Sequence, residues 1–311
     1  MKNRSILLLL LLGLGLVACE TEFTPDDADL DPEIVVEGFI EAGDEALPPF
    51  VLLTRSVPFF SSFDPDEFNN LFVHDAEVVV TDDLNTYSLE EFCVEDIPEP
   101  LREAVLALLG INIQPDEELP NFCAYVDTTG TLQGQIGKTY DLSIEVEGKM
   151  ITASTTIPEP VPLFDIYFQK PTEFSPDSLL ELRCSIDDPG GRADYYRYLT
   201  EINNEGFVAP FQSATDDAFF DGQSFEFVLS KAESRIDPPG IDTFGLFTLG
   251  DTARIKWCTI DEAHYRFWST LEFNAVSQGP FSSYTIVDTN VEGGIGVWGG
   301  YAVRIYESIV E

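Results

Sequence analysis

The chain has 311 residues, 44% of them hydrophobic, which is enough to build sizeable cores. It carries 16 Lys and Arg against 56 Asp and Glu, a formal charge of −40. That excess repels nucleic acid and anionic headgroups and so excludes polyanion binding, while cation binding and a merely well-solvated acidic surface both remain compatible with it.

Residues 1–18 are laid out as a secretory signal. Lys2 and Arg4 precede an apolar run, Ile6–Leu16, which is shorter than the roughly 20 residues a spanning helix needs. Leu16-Val17-Ala18-Cys19 closes it with a small residue before a cysteine, the layout of a bacterial lipoprotein cleavage site. Cys19 is therefore expected to become the lipid-bearing first residue of the mature chain, since several acyl chains together hold a protein stably to a bilayer. A plain signal peptide with an incidental cysteine is the alternative. Residues 19–32 form an acidic tether with Glu20, Glu22, Asp26, Asp27, Asp29 and Asp31, interrupted by Pro25 and Pro32. It resembles the acidic export signal of Bacteroidetes surface lipoproteins, which implies an outer-membrane, lipid-anchored protein facing the cell exterior. The bland alternative is a solvated spacer in the periplasm.

The remaining length suits two domains. The first, 33–157, is expected to hold strands at Glu33–Glu41, Pro49–Ser56, Asp75–Asp82 and Thr86–Phe92. Lys138–Glu147 is the cleanest of them, because Leu142, Ile144 and Val146 alternate with Asp141, Ser143, Glu145 and Glu147. Glu147-Gly148-Lys149 turns that strand into Met150–Ile157. Two insertions interrupt the domain. One is the aromatic-rich loop 57–73, and the other is 94–121, with a short helical run at Leu101–Leu109. Pro158, Pro160 and Pro162 form a stiff linker, 158–162. The second domain, 163–311, is expected to hold strands at Leu163–Gln169, Ser178–Asp187, Asp194–Asn203, Phe207–Gln212, Ser224–Ser230, Thr252–Ile260, Ser283–Val287 and Val297–Tyr306. Asp261 should cap a helix over 262–276 that covers an open sheet end or edge with Tyr265 and Trp268 inward. The fold class expected is mainly β: two antiparallel, immunoglobulin-like β-sandwich domains, with a short helical insertion in the first and one helix in the second.

Cys93, Cys123, Cys184 and Cys258 are the cysteines beyond Cys19. In an exported chain an even number suggests disulfides. Cys93–Cys123, bracketing one local segment, is the favoured pair. Cys184–Cys258 is the weaker pair, because Cys184 shares a face with Leu180, Leu182 and Ile186 whereas Cys258 is in phase with Arg254 and Lys256; two free thiols are the alternative.

Several stretches taken together resemble one family. They are IVVEGFI, KTYDLSIEVEGK followed by STTIPEPV, DDPGGRADYYRY, FFDGQSFEF, TIDEAHYRFW, GPFSS and GGIGVWGGY. In this order they are similar to the DUF4249 family of Bacteroidetes outer-membrane lipoproteins, a family of unknown function; the insertion 94–121 does not belong to that pattern. The resemblance implies a surface lipoprotein working alongside a TonB-dependent outer-membrane transporter. It implies no catalytic residues.

No catalytic motif is present in the sequence. His74 and His264 are the only histidines, there is no GxSxG elbow, and HExxH is absent. Neither a catalytic nor a metal site is assigned, and no cofactor is expected. Calcium at Asp64-Pro65-Asp66-Glu67, or at Asp216-Asp217 with Asp221, is a weaker reading than a solvated acidic loop. The candidate partner or ligand loop is 57–73. Phe59, Phe60, Phe63, Phe68 and Phe72 are costly to leave in water, so they either tuck under the sandwich or meet a partner, with Asp64, Asp66 and Glu67 at the rim. Asp194 and Arg197 are expected to form a local ion pair, with Tyr195, Tyr196 and Tyr198 packing across strands. A groove between the 262–276 helix and the second sheet is the fallback ligand site. The function expected is that of a non-catalytic surface lipoprotein that captures a ligand for a transporter. A structural or adhesive surface protein is the alternative, and a carbohydrate-active enzyme needing paired carboxylates across a cleft comes third.

Overall fold

Strands form where apolar and polar side chains alternate. A computed structural model describes residues 31–57, 69–98, 102, 122–172, 176–234, 239–276 and 286–311. Glu33–Ser56 and Phe63–Glu311 pack as one unit, which is the body described below; Met1–Pro32 and Val57–Ser62 are grouped separately and carry no described element. In chain order the first half gives β1 (Ile34–Gly43), β2 (Phe50–Arg55), β3 (Glu77–Thr81), β4 (Thr86–Cys93), β5 (Cys123–Val126), β6 (Thr139–Val146) and β7 (Lys149–Thr156). The second gives β8 (Leu163–Gln169), β9 (Leu179–Asp187), β10 (Tyr195–Ile202), β11 (Ala214–Asp216), β12 (Ser224–Leu229), β13 (Phe247–Thr248) and β14 (Thr252–Ile260). Helix α1 (Glu262–Val276), β15 (Val291–Glu292) and β16 (Ile295–Ile309) complete it. The β6–β7 hairpin shows the cause most plainly. Tyr140, Leu142, Ile144 and Val146 are buried on one face, and Glu147 and Gly148 both take positive φ in the turn, the geometry that matches strand twist.

The chain is mainly β. Twelve strands follow one hydrogen-bonded path, β11-β10-β14-β16-β1-β2-β5-β4-β3-β6-β7-β15, and β8, β9, β12 and β13 form a second sheet. β1 and β16 run parallel, with Val35 opposite Ile295 and Gly43 opposite Val303. β4 changes partner midway: Thr86–Leu89 pair with β3 and Glu90–Cys93 with β5. The two arms of the path then enclose a first core, in which Val36, Ile40, Val51 and Leu53 meet Val80, Tyr140, Leu142 and Ile151 around Trp298. A second core lies between β10–β14 and the smaller sheet, from Tyr196, Ile255 and Trp257 to Leu182, Ile186 and Phe247. Residues 158–162 do connect β7 to β8, but pairing crosses that point, because β16 joins β1 and β15 joins β7.

Both cores lie under the same side of β10-β14-β16-β1-β2. The other side carries α1 at one end. Asp261 caps this helix as the sequence predicts, its Oδ1 accepting from the His264 amide at 2.8 Å. Its Oδ2 accepts from Thr155 Oγ1 and the Thr156 amide, so the same carboxylate ties the helix start to β7. Asp261→Ala is expected to lower the unfolding free energy by about 1–2 kcal/mol, and Asp261→Asn by less, in urea titrations.

Some expectations are corrected. Phe207–Gln212 is no strand beyond a single bridge from Val208 to Thr200; Pro210 lacks the amide that a ladder needs. Ile286 and Val287 form no strand, and 283–285 lie outside the described residues. Cys93 and Cys123 are bonded, directly opposite each other in the β4–β5 register. Cys184 and Cys258 are free. Cys184 belongs to the second core, whereas Cys258 faces away from it on β14 with Tyr301 and Val303, so the sheet separates the two sulfurs. Burial pushes both thiols up to about 12, which leaves them unreactive at neutral pH.

Candidate functional site

The uncovered part of the sheet's outer face forms a hollow of about 460 Å³ beside α1. Strand alternation puts the charges there. Val36 and Ile40 of β1 point into the first core, so Glu37, Phe39 and Glu41 point out. Likewise Ile255 and Trp257 of β14 point in, and Arg254 and Lys256 point out. Arg197, Leu199 and Glu201 come from β10 and Tyr301 from β16, with Phe50, Leu52, Phe122 and Phe207 forming the apolar walls.

Each cation of the hollow is held. Lys256 Nζ meets Glu41 Oε1 at 2.6 Å with both side chains buried, and Glu41 Oε2 accepts from the Leu47 amide at 3.0 Å. Arg254 contacts Glu45, Glu201 and Glu307, and its guanidinium lies 5.1 Å from the Phe207 ring centre. Arg197 is 6% exposed. Its Nε donates to Ser213 Oγ at 3.0 Å and its Nη1 to the Tyr301 hydroxyl, while the guanidinium sits 3.4 Å above the Trp268 ring. Ser213 in turn donates to Glu272 of α1 through both its amide and its hydroxyl. The expected Asp194–Arg197 pair does not form. Asp194 ends the loop before β10 and pairs with Arg192 of that loop instead, while Arg197 points to the outer face of the strand. Of the tyrosines expected to pack across strands, Tyr196 does so by stacking on Trp257 of β14, whereas Tyr195 stacks on Tyr265 of the helix.

Glu37 differs from its neighbours. No hydrogen bond or ion pair to its carboxylate is formed among the described residues. It keeps solvent-exposed surface yet sits deep in the concavity, so desolvation pushes its carboxyl up, with Arg197 acting in the other direction.

His264 lies where α1 meets the sheet, fully buried against Phe39 and Tyr301. Neither ring nitrogen has a hydrogen-bond partner among the described residues. Burial, then the charge of Arg197, pushes its pKa down to about 3, against a weak opposite effect of the Gly300 backbone. The unfolded chain takes up this proton near pH 6.5 and the folded chain does not. Stability is therefore whole above pH 6.5 and falls as pH drops towards 3, by up to about 1.4 kcal/mol per pH unit from this one group. The difference between wild type and His264→Leu in urea unfolding from pH 7 to 4 isolates that slope from the carboxylates, and the variant should lack it. His74 is half-exposed and pairs with Glu91.

Two other places were open to chemistry. Of the acidic group, Asp217 and Asp221 meet Asp188, with carboxylate oxygens within 4.8 Å of one another, while Asp216 turns away to accept from Tyr265. Asp188 accepts from the Tyr196 hydroxyl and the Gly222 amide, Asp217 from the Asp194 amide and Asp221 from the Gly191 amide. These bonds clasp the 188–194 loop to the 217–222 loop, whose backbones touch at Gly190 and Gly222. Elsewhere a larger groove of about 860 Å³ runs between β11 and β12, lined by Phe211, Phe219, Phe220, Phe225, Phe227 and Trp257.

Of the 57–73 loop, Phe72 is buried beside the Cys93–Cys123 bridge. Phe59, Phe60, Phe63, Asp64, Asp66, Glu67 and Phe68 lie outside the described residues, as do Cys19 and most of 94–121. The sequence reading did not single out Glu37, Arg254, Lys256 or Tyr301 as a site. The available signal was charge on one face of strands whose other face is apolar.

Nearly the whole chain, residues 20–307, matches the family described as a domain of unknown function, DUF4249, and the chain belongs to that family. No curated protein matches it.

Proposed function

We propose that this DUF4249 protein is a non-catalytic surface lipoprotein that captures a small ligand in the hollow and delivers it to a TonB-dependent outer-membrane transporter. The anchor at Cys19 and the acidic tether of 19–32 support the location. We read the two cores as two β-sandwiches of broadly immunoglobulin-like build, joined through the long sheet. The observation that carries the reading is Glu37. A carboxyl left without a partner in a concavity gives no folding benefit, and such local conflicts mark functional positions. Hydrolysis of a glycoside needs two available carboxyl groups, but Glu41 and Glu201 are both engaged by cations.

The test is purification of the full chain, tagged at its C-terminus, from outer membranes in mild detergent. An outer-membrane transporter should accompany the protein, and Cys19→Ala should release the protein from the membrane. Recovery of a membrane-bound chain without any transporter would sink the partnership. A structural or adhesive role is the second reading, favoured by the aromatic groove, where Phe219 is 89% exposed. It expects no uptake defect on deletion.

A further inference from the structure

We propose that the hollow binds an organic cation, an ammonium or guanidinium group carried on an apolar or aromatic body. The inference rests on reading the hollow as a ligand site and adds the class of ligand. In and around it five carboxylates, Glu37, Glu41, Glu45, Glu201 and Glu307, face three cations. The cations are spoken for: Arg254 by three carboxylates, Lys256 by Glu41, and Arg197 by Ser213, Tyr301 and the face of Trp268. The carboxylates outnumber the cations, and Glu37 is the one that no cation holds, so the complementary group is positive.

The walls favour the same ligand. Phe39, Phe50 and Phe207 line the hollow, aromatic faces attract cations, and Phe207 already carries the Arg254 guanidinium. A volume of about 460 Å³ suits a small organic molecule. A neutral ligand leaves Glu37 uncompensated, and an anion meets both Glu37 and the field of a chain at −40. A bare divalent ion needs several free oxygen ligands, and among the described residues Glu37 is the only carboxylate of the lining not engaged by a cation.

Titration calorimetry on the mature protein with 2-phenylethylammonium, 2-phenylethanol and 3-phenylpropanoate tests this at low salt. The ammonium should bind at least about tenfold more tightly than the alcohol. Glu37→Gln should erase that preference while leaving the thermal midpoint unchanged or raised. Leu199→Trp, which fills the hollow, should abolish binding. If alcohol and ammonium bind alike, or Glu37→Gln leaves the preference intact, while Leu199→Trp still abolishes binding, the hollow is a ligand site but the cation assignment is wrong. If Leu199→Trp leaves binding unchanged, or none of the three probes binds at millimolar concentration, the ligand-site reading falls with it.

Discussion

Lys256→Met alone should destabilise the protein by about 3–5 kcal/mol, whereas Lys256→Met combined with Glu41→Gln should recover most of that loss. The reason is the position of the pair. Lys256 and Glu41 are 7% and 8% exposed and meet at 2.6 Å across β14 and β1, with β16 between them. Removing the ammonium leaves the Glu41 carboxylate buried with only the Leu47 amide as a donor, and desolvation of an uncompensated charge is what makes the single change expensive. Gln at 41 keeps an acceptor for that amide and removes the charge. Urea unfolding of both singles and the double gives the coupling energy. A cost below about 1 kcal/mol for Lys256→Met would place the pair among solvated ion pairs and remove the argument that the hollow is a low-dielectric site.

The pair also bears on function. It fixes the floor of the hollow without leaving a spare cation there, and this makes Glu37, four residues before Glu41 on the same face, the group that lacks a partner. Replacing the pair with neutral side chains should therefore leave the charge preference of the hollow to Glu37 alone. Stability and ligand preference are carried by two different carboxyls on one face of one strand, so they can be altered separately.

The local structure around this site was legible in the sequence, and its assembly was not. β6 and β7 follow from alternation and a two-residue turn, and α1 from its Asp261 cap. Alternation also says that Glu37 and Glu41 face away from Val36 and Ile40, and that Arg254 and Lys256 face away from Ile255 and Trp257. What brings the two sets together is β16, which pairs with β1 in parallel and with β14 antiparallel. Such a pairing between strands far apart in the chain leaves no periodic trace in either, and the prolines at 158–162 suggested a division that the sheet spans. Cys184 and Cys258 illustrate the same point. Their strand phases were readable, but only the position of β14 between a core and an outer face explains why the thiols stay apart. The short strands β11, β13 and β15 went unseen because two or three residues carry no alternation.

Gly299→Ala is expected to be among the most damaging single substitutions outside the cores, costing about 3 kcal/mol. A Cβ there would lie 2.3–2.6 Å from three atoms of the His264 ring. The ring cannot retreat, because Phe39 and Tyr301 pack against it and Trp268 lies close behind. Insertion of one methyl group therefore has to lift the first turn of α1 from the sheet, which also strains the Asp261 cap and the contact of Trp268 with Arg197. The damage should be specific to that contact. In a His264→Ala background the alanine at 299 meets space instead of a ring, so the same substitution should cost about 1 kcal/mol or less, and the double-mutant cycle should show a coupling of about 2 kcal/mol. Equal costs in the two backgrounds would mean that Gly299 is required by its backbone rather than by the ring above it. A strong coupling would show that the seat of α1, which sets one end of the hollow, depends on a glycine in β16 lying flat beneath a neutral histidine.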